Sequence, residues 1–295
     1  MKWLRALRRS VRQIDLLGAR MRRVQEALGR IERRQLRDRE APEWRELEFR
    51  VYSQWGEDGL IEHLVGAVPV ARRVFVEFGV EDYQEANTRF LLVNDGWSGL
   101  VMDASEENIK RIRRDPLSWQ HNLKAQGAFV TRENIDGLLT NQGLAGDIGL
   151  LSIDIDGNDY WVWDAITVVS PAIVVIEYNA RFGPQRAVTV PYDPRFERAK
   201  AHPSMIYYGA SLRALWLLGK RKGYALVGCN AAGNNAFFVR KDLLPTSLAE
   251  RTPEQAFVPA GFREARDARG ELALLDADAE AEILRGLAVV DVERA

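Results

Sequence analysis

Cysteine is nearly absent from this sequence, with Cys229 alone among 295 residues. A single cysteine excludes an internal disulfide framework and is typical of proteins from a reducing compartment. No apolar run is long enough to span a bilayer, and the N-terminal segment lacks the apolar core of a signal peptide. These absences predict a cytoplasmic protein without a membrane-spanning helix.

A strong net charge is also lacking, because 41 Lys and Arg residues nearly balance 42 Asp and Glu residues. The balance hides an asymmetry: residues 1–40 carry 13 basic and 5 acidic side chains, a surplus of +8, which leaves −9 on the remainder. A basic arm on an acidic body suits a membrane surface, a nucleic acid or an acidic partner. It suits a solvated helix equally well, so charge alone assigns no partner to the arm.

The basic arm is predicted to form one long helix over residues 3–36, because its apolar residues recur at spacings of three and four. This narrow seam has one phase change near Leu17 and is typical of a coiled coil. A seam so narrow cannot bury the helix in a core, so we expect a homo-oligomer or another partner helix. Peripheral contact with a membrane, led by Trp3, is the alternative, and no nucleic acid is expected. The seam consists of Leu4, Leu7, Val11, Ile14, Leu17, Met21, Val24, Leu28 and Ile31.

The chain is predicted to have three parts. The pair Ala41-Pro42 ends the helix of residues 1–40, because a residue that precedes proline is disfavoured in helical conformation. Strands and helices alternate between residues 44 and 242, which indicates a parallel sheet with right-handed crossovers. Residues 243–295 form a C-terminal extension, for which we predict a hairpin and a helix but assign no chemistry.

The middle part contains five predicted parallel strands and two final strands. The last two are separated by a short Asn/Gly-rich connector, which allows only an antiparallel hairpin. Five parallel strands closed by a hairpin make a Rossmann-like α/β fold, and this sheet is similar to that of class I S-adenosylmethionine-dependent methyltransferases. The predicted strands cover residues 74–78, 99–102, 128–131, 150–153, 173–176, 224–227 and 236–239, and the intervening helices include 84–93, 160–168 and 211–222.

The first two strands end in residues that suit a nucleoside. Glu77 and Gly79 close the first strand, where glycine lets the backbone approach a ligand and an acidic side chain can bind an amino or ribose group. Asp103 ends the second strand 24 residues after Gly79, about the distance at which a carboxylate meets two ribose hydroxyls in this architecture. Asp103 could instead cap the helix after Ser105. The other glycines of a pyrophosphate-binding loop are missing, which disfavours NAD or FAD more than S-adenosylmethionine.

Acidic and amide residues follow the fourth and fifth strands. Asp154 and Asp156 end the fourth, and Glu177 and Asn179 end the fifth, so we expect these four side chains to lie together at one edge of the sheet. Oxygen ligands suit Mg²⁺, Ca²⁺ or Mn²⁺, and a cation there would lower the pKa of an acceptor hydroxyl. Without a metal, Asp154 could orient the methyl donor, and Asp156 with Asp159 could cap the next helix.

Four phrases of the sequence resemble the FkbM-type methyltransferase family, in particular its surface-polysaccharide biosynthesis branch. They are Tyr52-Ser53-Gln54-Trp55-Gly56-Glu57-Asp58, Val76-Glu77-Phe78-Gly79, Ser152-Ile153-Asp154-Ile155-Asp156-Gly157-Asn158-Asp159-Tyr160 and Gly233-Asn234-Asn235-Ala236-Phe237-Phe238-Val239. The resemblance covers roughly residues 50–240 and implies S-adenosylmethionine as donor and O-methylation of a sugar or related hydroxyl. The Asp-Gly-x-x-Tyr element is also similar to the metal-dependent macrocin O-methyltransferases. The donor-binding candidates are Gln54, Glu77, Gly79, Glu81, Asn87, Asp103, Ala104 and Asp154.

Three residues are predicted to act in catalysis, namely Asp154, Glu177 and His202. His202 lies in the loop after the fifth strand, and a histidine titrates near neutral pH, which suits a general base. The surrounding segment 184–208 is polar and aromatic, and sugars stack on such rings, so it could close over an acceptor or simply form a surface loop. Its charged and aromatic residues are Arg186, Tyr192, Arg195, Tyr207 and Tyr208.

The Asp-x-Asp-Gly pattern at Asp154 allows other functions. A calcium-binding EF-hand loop beginning there requires glutamate at its twelfth position, where this sequence has Ala165. A metal-dependent glycosyltransferase that uses Asp154 and Asp156 remains open. A non-catalytic scaffold working through its coiled coil also remains open, although a scaffold has no need of crowded carboxylates.

Overall fold

A mostly parallel sheet of seven strands forms the centre of the molecule. The computed structural model describes residues 2–37, 39 and 42–294. The strands of the described chain are β1 (Val74–Phe78), β2 (Ser98–Asp103), β3 (Leu123–Gly127), β4 (Gly146–Ile153), β5 (Val169–Glu177), β6 (Val188–Thr189), β7 (Tyr224–Cys229), β8 (Asn235–Arg240) and β9 (Val290–Asp291). Strands β6 and β9 form a separate small sheet, and the other seven form the central sheet. The central order is β3-β2-β1-β4-β5-β8-β7, in which β1 to β5 are parallel and the hairpin of β7 and β8 is antiparallel. The predicted fold is confirmed.

Helices cover both faces of this sheet. They are α1 (Lys2–Arg37), α2 (Glu57–Ala67), α3 (Arg89–Asp95), α4 (Glu106–Arg114), α5 (Leu117–Gln120), α6 (Ile135–Asn141), α7 (Asp159–Ala165), α8 (Arg198–Ala201), α9 (Leu212–Lys222), α10 (Pro253–Ala256) and α11 (Ala277–Arg285), with short 3₁₀ turns at Trp44–Leu47, Ala180–Phe182 and Lys241–Leu243. A hydrophobic core lies on each face of the sheet, and successive residues of a strand point alternately into one core and the other. Phe75 of β1 packs with α2, α3 and α4, whereas Val76 packs with α6, α7 and α9. Burial on both faces explains why the central strands are almost entirely apolar.

Two elements differ from the sequence prediction. The third strand lies at Leu123–Gly127 instead of residues 128–131, because at this sheet edge only Leu123 is buried and the strand lacks an apolar run. The helix predicted from residue 84 begins only at Arg89. Backbone N–H groups of Asn87 and Thr88 bond instead to the Glu77 carboxylate, which holds the preceding segment away from a helical path.

The two ends of the chain extend the central fold. Helix α1 spans 36 residues, in agreement with the predicted long N-terminal helix, and ends at Arg37. Ala41, where we predicted its end, lies outside the described residues, as do the side chains of Leu4, Leu7 and Val11. In the extension, the predicted hairpin is reduced to one bridge between Arg266 and Leu272, while β9 pairs with β6. Among the described residues, no helix combines the length and the apolar composition needed to cross a membrane.

Candidate active site

A cavity of about 640 Å³ opens at the carboxyl ends of β1, β2, β4 and β5. This is the edge at which open α/β sheets bind ligands, and the volume suits a nucleoside-sized molecule. All eight predicted donor-binding residues line the cavity, and so do Asp156 and Glu177. Asn179 and His202 do not line it. The eight are Gln54, Glu77, Gly79, Glu81, Asn87, Asp103, Ala104 and Asp154.

Gly79 is required where the ends of β1 and β4 pass each other. Its φ is +72°, a conformation that favours glycine, and a Cβ added there would collide with the carbonyl oxygen of Asp154. Its N–H donates to the carbonyl of Met102 at 3.0 Å. Gly79 therefore allows the end of β1 to pack closely against the end of β4. The close contact seen here is within the protein and does not involve a ligand.

Asp103 joins the loops that follow β1 and β2. One carboxylate oxygen accepts the Glu81 N–H at 2.9 Å, and the other accepts the Ser105 N–H at 2.8 Å. Ser105 is the residue that caps α4, and its hydroxyl accepts the Asn108 N–H at 3.3 Å. Asp103 thus organises the loop and lines the cavity, whereas the helix cap that was the alternative role for Asp103 is provided by Ser105.

Glu77 is a buried carboxylate held by the segment before α3. Its carboxylate accepts the N–H groups of Asn87 at 2.8 Å and Thr88 at 3.1 Å, and the Thr88 hydroxyl as well. Burial raises the pKa of Glu77 to about 7, although these donors act in the opposite direction. The carboxylate therefore titrates near neutral pH in the folded protein.

The raised pKa of Glu77 makes stability depend on pH. A carboxyl whose folded pKa lies above its unfolded value stabilises the fold at low pH and loses that contribution as pH rises from about 4.5 to about 7. We expect the free energy of unfolding of the wild type, relative to Glu77→Gln, to fall by about 3 kcal/mol over this range. Urea unfolding at pH 4.5, 6 and 7.5 measures it. Exposed Glu85→Gln is the control, and parallel pH curves for wild type and Glu77→Gln would contradict the prediction.

Three carboxylates meet at the ends of β4 and β5. Each of Asp154, Asp156 and Glu177 offers one oxygen within 4.8 Å of the others. The pairing of Ile153 with Ile176 sets Asp154 beside Glu177. Burial, together with the neighbouring carboxylates, raises the pKa of Asp154 and of Glu177 well above the ordinary range. Glu177 is only 6% exposed, and its Oε2 atom has no hydrogen-bond partner.

Asp159 and Asn179 have structural roles beside this cluster. The Asp159 carboxylate accepts the N–H groups of Ile155 at 2.8 Å and Gly157 at 2.9 Å, which shapes the turn after β4. The Asn179 amide donates to the carbonyls of Ile206 and Tyr208, and its oxygen accepts the Arg181 N–H. Because its oxygen is already engaged and it lies outside the cavity, the structure does not support Asn179 as a metal ligand.

His202 also lies apart from the cavity. Its Nδ1 atom bonds with the Ser204 hydroxyl at 2.6 Å, and none of the three histidines of the chain lines the site. The structure therefore does not support His202 as general base. Of the segment 184–208, the cavity is lined by Phe196 and Arg198, and not by the residues singled out from the sequence. Arg198 pairs with Asp156 at 2.8 Å.

The segment carrying Gln54 and Trp55 is anchored by two acidic residues. Asp58 accepts the N–H groups of Val51, Tyr52 and Ser53 and the Ser53 hydroxyl, all at 2.7–2.8 Å. Glu57 accepts the amides of Asn230 at 2.7 Å and Asn235 at 2.9 Å, from the hairpin. Two of the phrases that carried the family resemblance thus contact each other, a relation that the sequence did not reveal.

The C-terminal extension supplies one wall of the cavity. Phe262 stacks on Trp55 with ring centroids 5.5 Å apart, and Arg263 and Glu264 line the cavity beside it. Glu264 forms ion pairs with Arg181 at 2.8 Å and Arg198 at 2.5 Å. We assigned no chemistry to this extension from the sequence, because no local sequence pattern signals a contact between residues so far apart in the chain.

Comparisons with known proteins find similarity only at the level of structure. No family model matches the sequence, and no curated protein resembles it closely enough to count as a match. An S-adenosylmethionine-dependent methyltransferase from Clostridium acetobutylicum aligns over 62% of this chain and 89% of its own, with 10% identity and a TM-score of 0.40. An O-methyltransferase from Bacillus cereus in complex with SAH covers 62% and 78%, with 14% identity and a TM-score of 0.39. TrmK from M. capricolum, in complex with S-adenosyl-homocysteine, covers 67% and 74%, with 8% identity and a TM-score of 0.38. Similarities this low assign no activity to the chain.

Proposed function

We propose that this protein is an S-adenosylmethionine-dependent O-methyltransferase. The observation that carries the proposal is the placement of Asp103, at the end of β2 and on the wall of a cavity between β1 and β4. A carboxylate there can accept both hydroxyls of a ribose. The loop after β1 has no glycine-rich turn for a pyrophosphate, so a nucleoside without phosphates fits better than a dinucleotide.

The donor half of the cavity provides complementary surfaces for such a nucleoside. Asp103 would hold the ribose, and the apolar Phe129 and Val130 offer contacts for a purine. Gln54 and Glu77, which also line the cavity, would hold the polar amino-acid part. S-adenosylmethionine, when bound, supplies an electrophilic methyl group.

The acceptor half is defined by the carboxylate cluster and the aromatic wall. We infer that Asp154, Asp156 and Glu177 hold a divalent cation, because the buried Oε2 atom of Glu177 lacks any partner and oxygen ligands suit Mg²⁺ or Mn²⁺. Such a cation, when bound, stabilises the negative charge that develops on a hydroxyl. No histidine lines the cavity, so a side chain of the cavity that accepts the proton of the acceptor hydroxyl would be a carboxylate that does not hold the cation.

The acceptor is proposed to be a sugar or glycan precursor, as the resemblance to the FkbM-type family implies. Trp55 and Phe262 present ring surface on which a sugar can stack, and Trp55 remains 40% exposed. Asn234 and Arg198 add polar groups that can bond to hydroxyls. A cavity wall that alternates aromatic and polar groups fits a polyhydroxylated ligand better than an apolar one.

Calorimetry with S-adenosylmethionine tests the donor site. We expect micromolar binding to the wild type and about 100-fold weaker binding to Asp103→Ala, because two charge-assisted hydrogen bonds to the ribose are lost. The matched control is Glu107→Ala, which removes an exposed acidic side chain from the adjacent helix α4. Thermal unfolding of each variant shows whether the fold is retained.

Two outcomes would count against the proposal. If the wild type binds no S-adenosylmethionine, with or without Mg²⁺, the methyltransferase function is rejected. Thermal stabilisation by a nucleotide sugar instead would favour a glycosyltransferase that uses Asp154 and Asp156. Equal binding by wild type and Asp103→Ala would leave the donor but remove the assigned role of Asp103.

A further inference from the structure

Helix α1 contacts the rest of the molecule through one face of its C-terminal third. The Glu26 carboxylate accepts the Tyr52 hydroxyl at 2.7 Å, and Arg33 pairs with Glu62 and with Asp95, each at 2.6 Å. Between them, Gly29 lies against Val51 and Phe90. This docking face fixes α1 on the body, beside the segment that carries Gln54 and Trp55.

A second face of α1 is apolar and uncovered in the described chain. It consists of the last six residues of the predicted seam, which alone are called the seam from here on, and each of them is 48–68% exposed: Ile14, Leu17, Met21, Val24, Leu28 and Ile31. At 100° per residue, the seam lies roughly 120° around the helix from Gly29. Docking on the body therefore leaves the seam accessible along its whole length.

The spacing of the seam identifies its partner as another helix. Its steps of three, four, three, four and three residues follow a seven-residue repeat, which keeps a stripe facing a partner only when two helices supercoil. Helix α1 has 36 residues, whereas the next longest helices of the described chain, α2 and α9, have 11. Within copies of this chain, only a second α1 matches the seam in length and repeat.

The side chains that flank the seam are compatible with a parallel pair. One flank carries Arg20 and Ala27, and the other carries Gln25 and Glu32. In a parallel pair these flanks face each other across the interface, with Arg20 opposite Gln25 and Ala27 opposite Glu32. No like charges face each other at these positions. We propose that two copies of this protein associate through the seam as a parallel two-stranded coiled coil, a conclusion independent of the proposed reaction.

Light scattering after size-exclusion chromatography of the full chain tests the pairing. We expect the wild type to have twice the monomer mass of 33.4 kDa. The variant Leu17→Glu/Val24→Glu/Leu28→Glu should have the monomer mass, because it places charges in three seam positions that are exposed in the single chain. The control Arg23→Gln/Arg30→Gln removes two charges outside the seam and should remain dimeric.

Cross-linking tests the direction of the two helices. Leu28→Cys introduces an exposed thiol away from the middle of the helix, so two such thiols meet in a parallel pair and lie far apart in an antiparallel one, while the natural Cys229 is buried. Oxidation should link two copies in a parallel pair, and a dimer that fails to cross-link would overturn the parallel arrangement. A monomeric wild type, or a monomer that binds phosphatidylglycerol vesicles through α1, would overturn the pairing itself.

Discussion

Glu177→Gln is expected to lower the rate of methyl transfer by about 10²–10³-fold, the usual effect of removing one group that stabilises developing charge. The exchange keeps the size of the side chain but removes the carboxylate whose Oε2 atom is buried without a partner. We also expect weaker binding of Mn²⁺, measured by electron paramagnetic resonance. The dissociation constant for S-adenosylmethionine should stay within a few-fold, because we assign Glu177 to the proposed acceptor half and not to the donor half.

A matched control separates this effect from a general loss of charge. Asp164 is an exposed acidic residue on α7 that pairs with Arg221 on the surface. Asp164→Asn should leave both turnover and Mn²⁺ binding unchanged. If Glu177→Gln retains both full activity and Mn²⁺ binding, the Glu177 carboxylate has no part in the reaction. If the variant retains activity but loses Mn²⁺ binding, the reaction needs no cation.

Gly79→Ala is expected to lower the free energy of unfolding by about 3 kcal/mol, the sum of a left-handed backbone conformation and a forced steric contact. The added Cβ meets the carbonyl oxygen of Asp154, a backbone atom that cannot move without shifting the end of β4. A loss of this size should lower Tm by roughly 6–12 °C. Because the same shift moves the Asp154 side chain, binding of S-adenosylmethionine should weaken as well.

Gly96→Ala isolates the conformational part of that cost. Gly96 has a φ of +65°, close to that of Gly79, but a Cβ there meets no atom within 4 Å. We expect a loss of about 1 kcal/mol and unchanged ligand binding. Equal stability losses in the two variants would mean that the contact between Gly79 and Asp154 is not required.

The sequence predicted the fold well because the central strands are buried on both faces. A run such as Val74–Phe78, apolar except for Glu77, indicates a buried strand, and its predicted bounds agree with the observed strand. The edge strand β3 was misplaced because only Leu123 of its five residues is buried. The start of α3 was misplaced since a distant carboxylate, Glu77, competes for the backbone N–H groups there.

The rule about strand ends predicted the centre of the candidate site, although Gln54 and Asn87, which lie away from strand ends, were also predicted and line the cavity. Asp103, Asp154 and Glu177 follow directly from the rule that parallel strands deliver their carboxyl ends to one edge. Arg198 and Phe262 reach the cavity through long loops, whose course depends on tertiary contacts and leaves no periodic pattern. The assignment of His202 relied on residue type alone, and its bond with Ser204 holds it elsewhere.

The stack of Trp55 on Phe262 joins rings that are 207 positions apart in the sequence. During synthesis, the sheet has all its strands once β8 has emerged at Arg240, but this wall needs some twenty residues more. The complete cavity is therefore among the last features that a nascent chain can form. A chain terminated between these points would carry every strand of the central sheet and yet leave Trp55 without its stacking partner.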